Sequence, residues 1–276
     1  MVKLVVDSTF GLEQKYIQDN DIRVVNLKLM LDDIVSEEGG IEKWAEFYDR
    51  LEKSKSFPKT SQPSPQDFIN AFKDIYKSTP DAEVLVLTIS ESLSGTINSA
   101  KLASEDFKSK EIVVMDSKQG TVGSKILAQE VVKKIHEGKN LEEIKKFVQA
   151  TQEKIDLYFV PATMEYLKRG GRVGLLSATL ASVLSIKPIF LFKNGSISVT
   201  KKVLGLTKAI NDIVLALPKQ IEKIYVCYIH TQQNADLFVN KIKEVLKIEH
   251  VELMPVSPVF GAHVGIGAIG IAALGK

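Results

Sequence analysis

Residues 83–99 have the sequence EVLVLTISESLSGTINS, an apolar run that changes abruptly into a hydroxyl-rich segment. The run EVLVL is short and rich in valine and leucine, which is typical of a buried strand. The following segment, Thr88–Ser99, carries six hydroxyl side chains and no lysine or arginine. We therefore expect a strand that ends at a pocket, where hydroxyls and the NH groups around Gly95 bind an acceptor such as an anion through neutral donors.

Strand-like and helix-like segments alternate on both sides of this stretch. Predicted strands lie at 3–6, 22–31, 83–88 and 111–115, and predicted helices at 42–54, 65–77, from about 95, 122–136 and 141–154. Asn140 is the expected N-cap of the last helix, with Glu143 at its third position. The alternation predicts an N-terminal three-layer α/β/α domain with a mainly parallel sheet.

The second half of the sequence has a different pattern of predicted elements, which includes a hairpin. Residues 186–204 form an expected hairpin that turns at Asn194–Gly195, accompanied by predicted strands at 157–160, 223–229 and 250–254 and predicted helices at 207–217 and 234–246. These segments predict a C-terminal α+β domain with a mixed sheet. We place the domains at 1–155 and 156–276 and expect the ligand in the cleft between them.

Composition excludes several classes of function. The 276 residues carry a formal net charge of +2 with acidic and basic residues mixed throughout, which disfavours nucleic-acid and membrane binding. The N-terminus MVKLVVDST is too short an apolar run for a signal peptide, and no stretch of 18 apolar residues occurs, so we expect a cytoplasmic protein. The one cysteine, Cys227, cannot form an internal disulfide and is expected to be a buried, inert thiol.

Polar residues follow three predicted strands of the parallel sheet, at 7–9, 90–96 and 116–117. Ligands of such sheets bind beyond the carboxyl ends of the strands, although each of these residues has helix capping as an alternative role. Thr60 and Ser61 lie in FPKTSQPSP, which we interpret as a proline-bracketed loop that presents two hydroxyls.

The candidate residues of the second half lie next to glycines. Arg169 and Arg172 in LKRGGRVG have two roles open to them, clamping an anion or lying in solvent beside a helix end. Among the four histidines, His263 in FGAHVGIGAIG is the strongest candidate, because flanking glycines allow close approach to a ligand.

The sequence contains no complete cofactor-binding motif. The string GIGAIG at 265–270 has the form of a dinucleotide fingerprint but lacks the acidic residue about 20 positions on. No phosphate-binding loop and no metal-ligand spacing occurs, so neither cofactor nor metal is predicted. Ser94 and His263 are the conceivable dyad of a lipid esterase, but no GxSxG elbow surrounds Ser94. A phosphate- or sugar-binding module is a second alternative.

Seven separated fragments form a set, in chain order DSTFGL (7–12), KTSQPSP (59–65), SESLSGTINSA (90–100), VMDSKQGTVG (114–123), LKRGGRVG (167–174), SIKPIF (185–190) and GAHVGIGAIG (261–270). Together these fragments resemble the DegV family of bacterial fatty-acid-binding proteins. The resemblance spans nearly the whole chain. It implies a two-domain carrier, not an enzyme, that encloses one long-chain fatty acid and presents the carboxylate to a separate fatty-acid kinase for acyl-phosphate formation.

The resemblance also implies roles for individual residues. It places the fatty-acid carboxylate on two hydroxyl-bearing segments and on the last glycine-rich loop, with the site residues Thr60, Ser61, Ser94, Gly95, Thr96 and His263. The serines and threonines would then be hydrogen-bond donors and not nucleophiles. Arg172 would belong to the polar site or to the surface that faces the kinase. In this chain the family's Gly-Pro-Gly after the histidine is Gly265-Ile266-Gly267.

Overall fold

The computed structural model describes residues 1–172 and 186–276. Its strands are β1 Val2–Asp7, β2 Arg23–Val25, β3 Lys28–Leu31, β4 Ile34–Glu37, β5 Lys59–Ser61, β6 Glu83–Thr88, β7 Ile112–Asp116, β8 Ile155–Val160, β9 Ile186–Lys193, β10 Ser196–Leu204, β11 Ile221–Tyr228, β12 Glu252–Pro255 and β13 Ile269–Gly275. Its α-helices are α1 Gln14–Asp19, α2 Trp44–Lys53, α3 Pro65–Ser78, α4 Thr96–Ser104, α5 Thr121–His136, α6 Leu141–Gln152, α7 Glu165–Gly170, α8 Leu206–Ala216, α9 Gln233–Leu246 and α10 Pro258–Val264. The motif residues Val173, Gly174 and Ser185 lie outside the described residues.

The first sheet is parallel, with the strand order β2-β1-β6-β7. Its strands are apolar on both faces because helices cover both sides. In β6, Val84 and Val86 pack into the cluster that contains α3, whereas Leu85 and Leu87 pack into the cluster that contains α5. This arrangement confirms the predicted three-layer α/β/α architecture, and the predicted N-cap Asn140 forms a capping box with Glu143.

The second sheet is mixed, with the order β10-β9-β8-β13-β11-β12. The predicted hairpin is confirmed, since β9 and β10 pair antiparallel around Asn194–Gly195. The strand β13 was not predicted, because its glycines and alanines give little β propensity. It nevertheless lies inside the sheet, between β8 and β11, where every one of its residues is buried. The two sheets together confirm the α/β class.

A third, small antiparallel sheet has the order β4-β3-β5, and it corrects two predictions. The single strand expected at 22–31 is two strands, since β2 joins the parallel sheet and β3 joins the small sheet. The loop expected at Thr60 and Ser61 is the strand β5, in which Thr60 pairs with Leu29. The prolines around this segment limit the strand to three residues, because proline removes a ladder donor.

One hydrophobic core joins the elements on either side of residue 155. Ile126 and Leu127 of α5 belong to the same buried cluster as Leu157 of β8 and Ala272 of β13. The expected boundary coincides with Ile155, the first residue of β8, and the two-domain division stays a prediction. Within residues 1–172 and 186–276, none of the helices has the length and apolar character that a membrane span requires.

Candidate functional site

A cavity of about 470 Å³ lies between the inner face of the six-stranded sheet and the loop that follows β6. Its size is that of a small-molecule site. Most of its wall is apolar, formed by Leu27, Ile89, Leu93, Leu157, Phe159, Leu167, Phe192, Ile197, Cys227, Ile229, Val256, Val259, Phe260, Val264, Ala268, Ile269 and Gly270. Phe159, Gly270 and Cys227 lie side by side on neighbouring strands. A Cβ added at Gly270 would lie 3.0 Å from Cys227 Sγ, so the close packing there requires glycine.

Part of the polar wall forms a cluster, which we call the polar end and define as Thr60, Ser61, Gln62, Ser94, Gly95, Arg172 and His263. The other polar residues of the wall are Glu91, Ser92 and Thr121. The loop after β6 supplies Ser94, whose Oγ shares a hydrogen bond of 2.9 Å with Thr96 Oγ1 at the start of α4. The side chain of Gln62 lies directly against Gly95, since a Cβ added there would be 2.2 Å from Gln62 Oε1. The β5 segment and the β6 loop therefore meet at the polar end.

A buried carboxylate, that of Asp7, holds the loop after β6 in place through hydrogen bonds. Asp7, at the end of β1, accepts a 2.6 Å hydrogen bond from the backbone NH of Ile89 and two from Thr9. Burial raises the pKa of Asp7 to about 6, against the lowering effect of these hydrogen bonds. Asp7 therefore orients the hydroxyl-rich loop and does not line the cavity.

His263 lies in α10 and not in the glycine-rich loop that the sequence predicted. Proline at the first position of α10 sets a helical φ, so the helix starts before the glycines and ends at Val264. Nε2 of His263 lies 2.8 Å from Thr60 Oγ1. Burial, assisted by the positive charge of Arg172, lowers the pKa of His263 to about 4, so the imidazole is neutral near pH 7.

The other ring nitrogen of His263 faces the end of α7. Nδ1 is buried and has no hydrogen-bond partner among the described residues, and a Cβ added at Gly170 would lie 2.5 Å from it. Arg172 is exposed beside this contact, and its Nη1 donates a 2.8 Å hydrogen bond to the carbonyl of Gly170. The polar end thus combines hydroxyls and a neutral imidazole with one arginine at its edge.

Six of the seven predicted site residues line the cavity, namely Thr60, Ser61, Ser94, Gly95, Arg172 and His263. Their contact with a ligand stays a prediction. Thr96 is fully buried and does not belong to the wall; it contacts Ser94 instead. Strand alternation separates the two hydroxyls of β5, because Thr60 is half-buried against His263 whereas Ser61 is exposed.

Gln62 in the cavity wall and Glu38 outside it were missed from the sequence. Gln62 lines the cavity and donates a hydrogen bond of 2.9 Å to Ser99 Oγ; its position directly after Thr60 and Ser61 was the available signal. Glu38 is buried beneath α10 and accepts hydrogen bonds from Ser257 and Val259. Its charged neighbourhood SEEGG gave no signal, because such stretches are ordinarily solvated.

Ser94 and His263, the dyad of the esterase alternative, are each hydrogen-bonded to another side chain. Ser94 has Thr96 as its hydrogen-bond partner, and His263 has Thr60. Cys227 is buried as predicted, and burial raises its pKa to about 12. Among the described residues, no group of three or more histidine, cysteine, aspartate or glutamate side chains is placed to hold a metal ion.

Known proteins share this whole architecture. The family model described as "Uncharacterised protein, DegV family" matches residues 1–276. A DegV domain-containing protein of Clostridium perfringens is 32% identical over 280 residues, covering 98% of each chain.

The similar solved structures include fatty-acid-binding proteins. A fatty-acid-binding DegV family protein from Thermus thermophilus has a TM-score of 0.88 at 29% identity, covering 100% of this chain and 99% of its own. A stearic acid-binding protein from Eubacterium ventriosum has a TM-score of 0.90 at 26% identity, with the same coverage. On the full-length match to the family model and the similarity to these relatives, the chain belongs to the DegV family.

Proposed function

We propose that this protein binds one long-chain fatty acid, with the tail in the apolar part of the cavity and the carboxylate at the polar end. The observation that carries the proposal is a cavity of about 470 Å³ whose wall is mostly apolar and includes the cluster of polar residues at the polar end. Such a cavity matches an amphiphile with one small polar group. The structural relatives that bind fatty acids support the same assignment.

The tail supplies most of the binding free energy in this proposal. A saturated chain with about 14 methylenes, at about 0.8 kcal/mol each, gains about 11 kcal/mol from burial before ordering costs are subtracted. The head group then needs orientation more than affinity. Hydrogen bonds from Ser94 and Thr60, each contributing about 1.5–3 kcal/mol to a charged acceptor, suffice for that.

Neutral donors suit a carboxylate that has to react later. His263 is neutral near pH 7 and Arg172 is exposed at the edge of the polar end. A bidentate arginine buried on both carboxylate oxygens would shield the oxygen that must act as a nucleophile. Hydroxyl donors leave one oxygen lone pair accessible from the exposed side, where Ser61 and Gln62 lie.

In the proposed function, the protein also presents this carboxylate to a separate fatty-acid kinase. A carboxylate oxygen attacks the γ-phosphorus of ATP, the bond to the bridging oxygen breaks, and acyl phosphate and ADP are formed. In this role the protein is a carrier that supplies no catalytic residue, and Arg172 faces the kinase. The proposal is favoured over a lipid esterase because His263 is bonded to Thr60 and Ser94 to Thr96.

Extraction of the purified protein tests the proposal directly. We expect organic solvent to release one equivalent of a C14–C18 acid, identified by mass spectrometry, and the stripped protein to take up stearate again. A protein that neither yields nor binds a fatty acid, but hydrolyses esters in a reaction that Ser94→Ala abolishes, would be an esterase. A stripped protein that binds inorganic phosphate or sugars and no fatty acid would be the other alternative.

A further inference from the structure

Glu38 is a buried carboxylate outside the cavity wall, at the point where β4 ends. Only 3% of its surface is exposed, and burial raises its pKa to about 7. A buried carboxylate is costly unless hydrogen bonds compensate for the lost water. Glu38 accepts three such bonds, from Ser8 Oγ, Ser257 Oγ and the NH of Val259.

The backbone and side chain of Glu38 are both fixed by a closed ring of hydrogen bonds. The NH of Glu38 donates to the carbonyl of Leu27, and the NH of Leu27 donates to Ser8 Oγ. Ser8 Oγ in turn donates to Glu38 Oε2 over 2.5 Å. The carboxylate therefore has one position relative to β3 and β4.

The second oxygen of Glu38 replaces the ordinary N-cap of α10. Ser257 is the N-cap residue, but its hydroxyl makes no bond to its own helix and donates instead to Glu38 Oε1 over 2.5 Å. The same oxygen accepts the free NH of Val259 in the first turn, over 2.8 Å. A seven-residue helix has too few internal hydrogen bonds to persist alone, so this contact helps to decide where α10 lies.

The small sheet thus holds α10 at both ends. Glu38 follows β4 and binds the first turn, while Thr60 on β5 binds His263 in the last turn. We propose that Glu38 is a positioning residue, which holds the first turn of α10 and thereby fixes His263 against Thr60 at the polar end. Its effect on fatty-acid binding rests on the proposed function, whereas its effect on His263 does not.

The test follows the His263 ring in the ligand-free, full-length protein by 15N NMR of labelled histidine, with His263→Asn used to assign the signal. In the wild type we expect the His263 ring to stay neutral down to about pH 4. Glu38→Ala releases the first turn and exposes the ring, so the pKa of His263 should move up toward its ordinary value of about 6.5. Glu38→Gln keeps an acceptor for Ser257 and Val259 and should restore the wild-type titration.

Glu37→Gln is the matched control, since Glu37 is exposed and contacts Asn26 on the surface. A folded Glu38→Ala protein with an unchanged His263 titration would overturn the proposal. If that variant does not fold, Glu38→Asp replaces it, because the shorter side chain cannot reach Ser8 and Val259 together. A wild-type titration in the Asp variant would then overturn the proposal.

Ligand binding gives the second measurement. We expect Glu38→Ala to weaken stearate binding about fivefold, and to have no further effect in the His263→Asn background, because the residue acts through His263. Full additivity of the two substitutions contradicts the proposal. If the wild type binds no fatty acid, the proposed function fails while the histidine titration still decides the role of Glu38.

Discussion

His263 contributes a neutral ring to the polar end and not a positive charge. Its pKa of about 4 reflects burial first and the charge of Arg172 second, both of which disfavour the protonated form. The ring therefore stays uncharged between pH 5 and 8. In the proposed function, discrimination for an anion would fall to Arg172 and to the hydroxyls, of which Ser94 is hydrogen-bonded to Thr96.

Ser94→Ala separates retention of the lipid from its reactivity. We expect stearate affinity to fall about 13-fold, equivalent to about 1.5 kcal/mol for one hydrogen bond to a charged acceptor, because the tail is untouched. Acyl-phosphate formation with a fatty-acid kinase and ATP should fall by a larger factor, because the carboxylate is no longer oriented. Ser104→Ala is the control, since it removes a half-buried hydroxyl of α4 that donates to the carbonyl of Lys101 and does not line the cavity. Equal losses in both assays would count against an orienting role for Ser94.

At the scale of elements, two short helices meet at the polar end through a close approach. The helix α7 ends at Gly170, which touches the His263 ring of α10, so no side chain fits between them. Neither helix is long enough to hold its place by its own hydrogen bonds. Their mutual position is therefore set by contacts such as Gly170 with His263 and Val259 with Glu38.

Gly170→Ala tests this approach, because its new Cβ would lie 2.5 Å from His263 Nδ1 and displace the ring. We expect stearate affinity to fall about tenfold in a titration of stripped protein, although alanine favours the helix more than glycine does. Gly171→Ala is the matched control. Gly171 has φ +68° and open space around it, so this variant loses stability from the backbone but keeps its affinity. A Gly170→Ala protein with wild-type affinity would show that the contact does not matter.

At the scale of the molecule, the cavity is enclosed by parts of the chain that are distant in sequence. Leu27 and Leu93 face it from the first half, and Phe192 and Val259 face it from the second. A ligand in this cavity contacts both halves at once. Its binding free energy therefore adds to the stability of the whole fold and not to that of one loop.

Unfolding temperature should report this coupling. At a free stearate concentration of 100 times Kd, the stripped protein should gain about 2.7 kcal/mol, or about 5 °C in Tm, measured by calorimetry. Decanoate at the same concentration should give no measurable shift, because eight fewer methylenes remove about 6 kcal/mol of burial. Equal shifts with both acids would mean that the head group, and not the tail, supplies the affinity.

The sequence by itself determined the elements whose cause is local. The alternation of apolar strands and amphipathic helices predicted the α/β class, Asn140 with Glu143 marked a helix start, and Asn194–Gly195 marked a hairpin. The hydroxyl-rich segment after β6 and His263 were also visible, because residue type and spacing suffice to suggest donors around a pocket.

Only the tertiary structure decided what depends on contacts between distant residues. The pairing of β5 with β3 turned an expected loop into a strand and separated Thr60 from Ser61. The placement of β13 between β8 and β11, despite its glycines and alanines, came from burial and not from propensity. Glu38 has the charged side chain of a surface residue, and it is buried because Ser8, Ser257 and Val259, up to 221 positions away, donate to it. Local sequence carries no record of such partners, since hydrogen bonds and packing across the fold are what stabilise each of these arrangements.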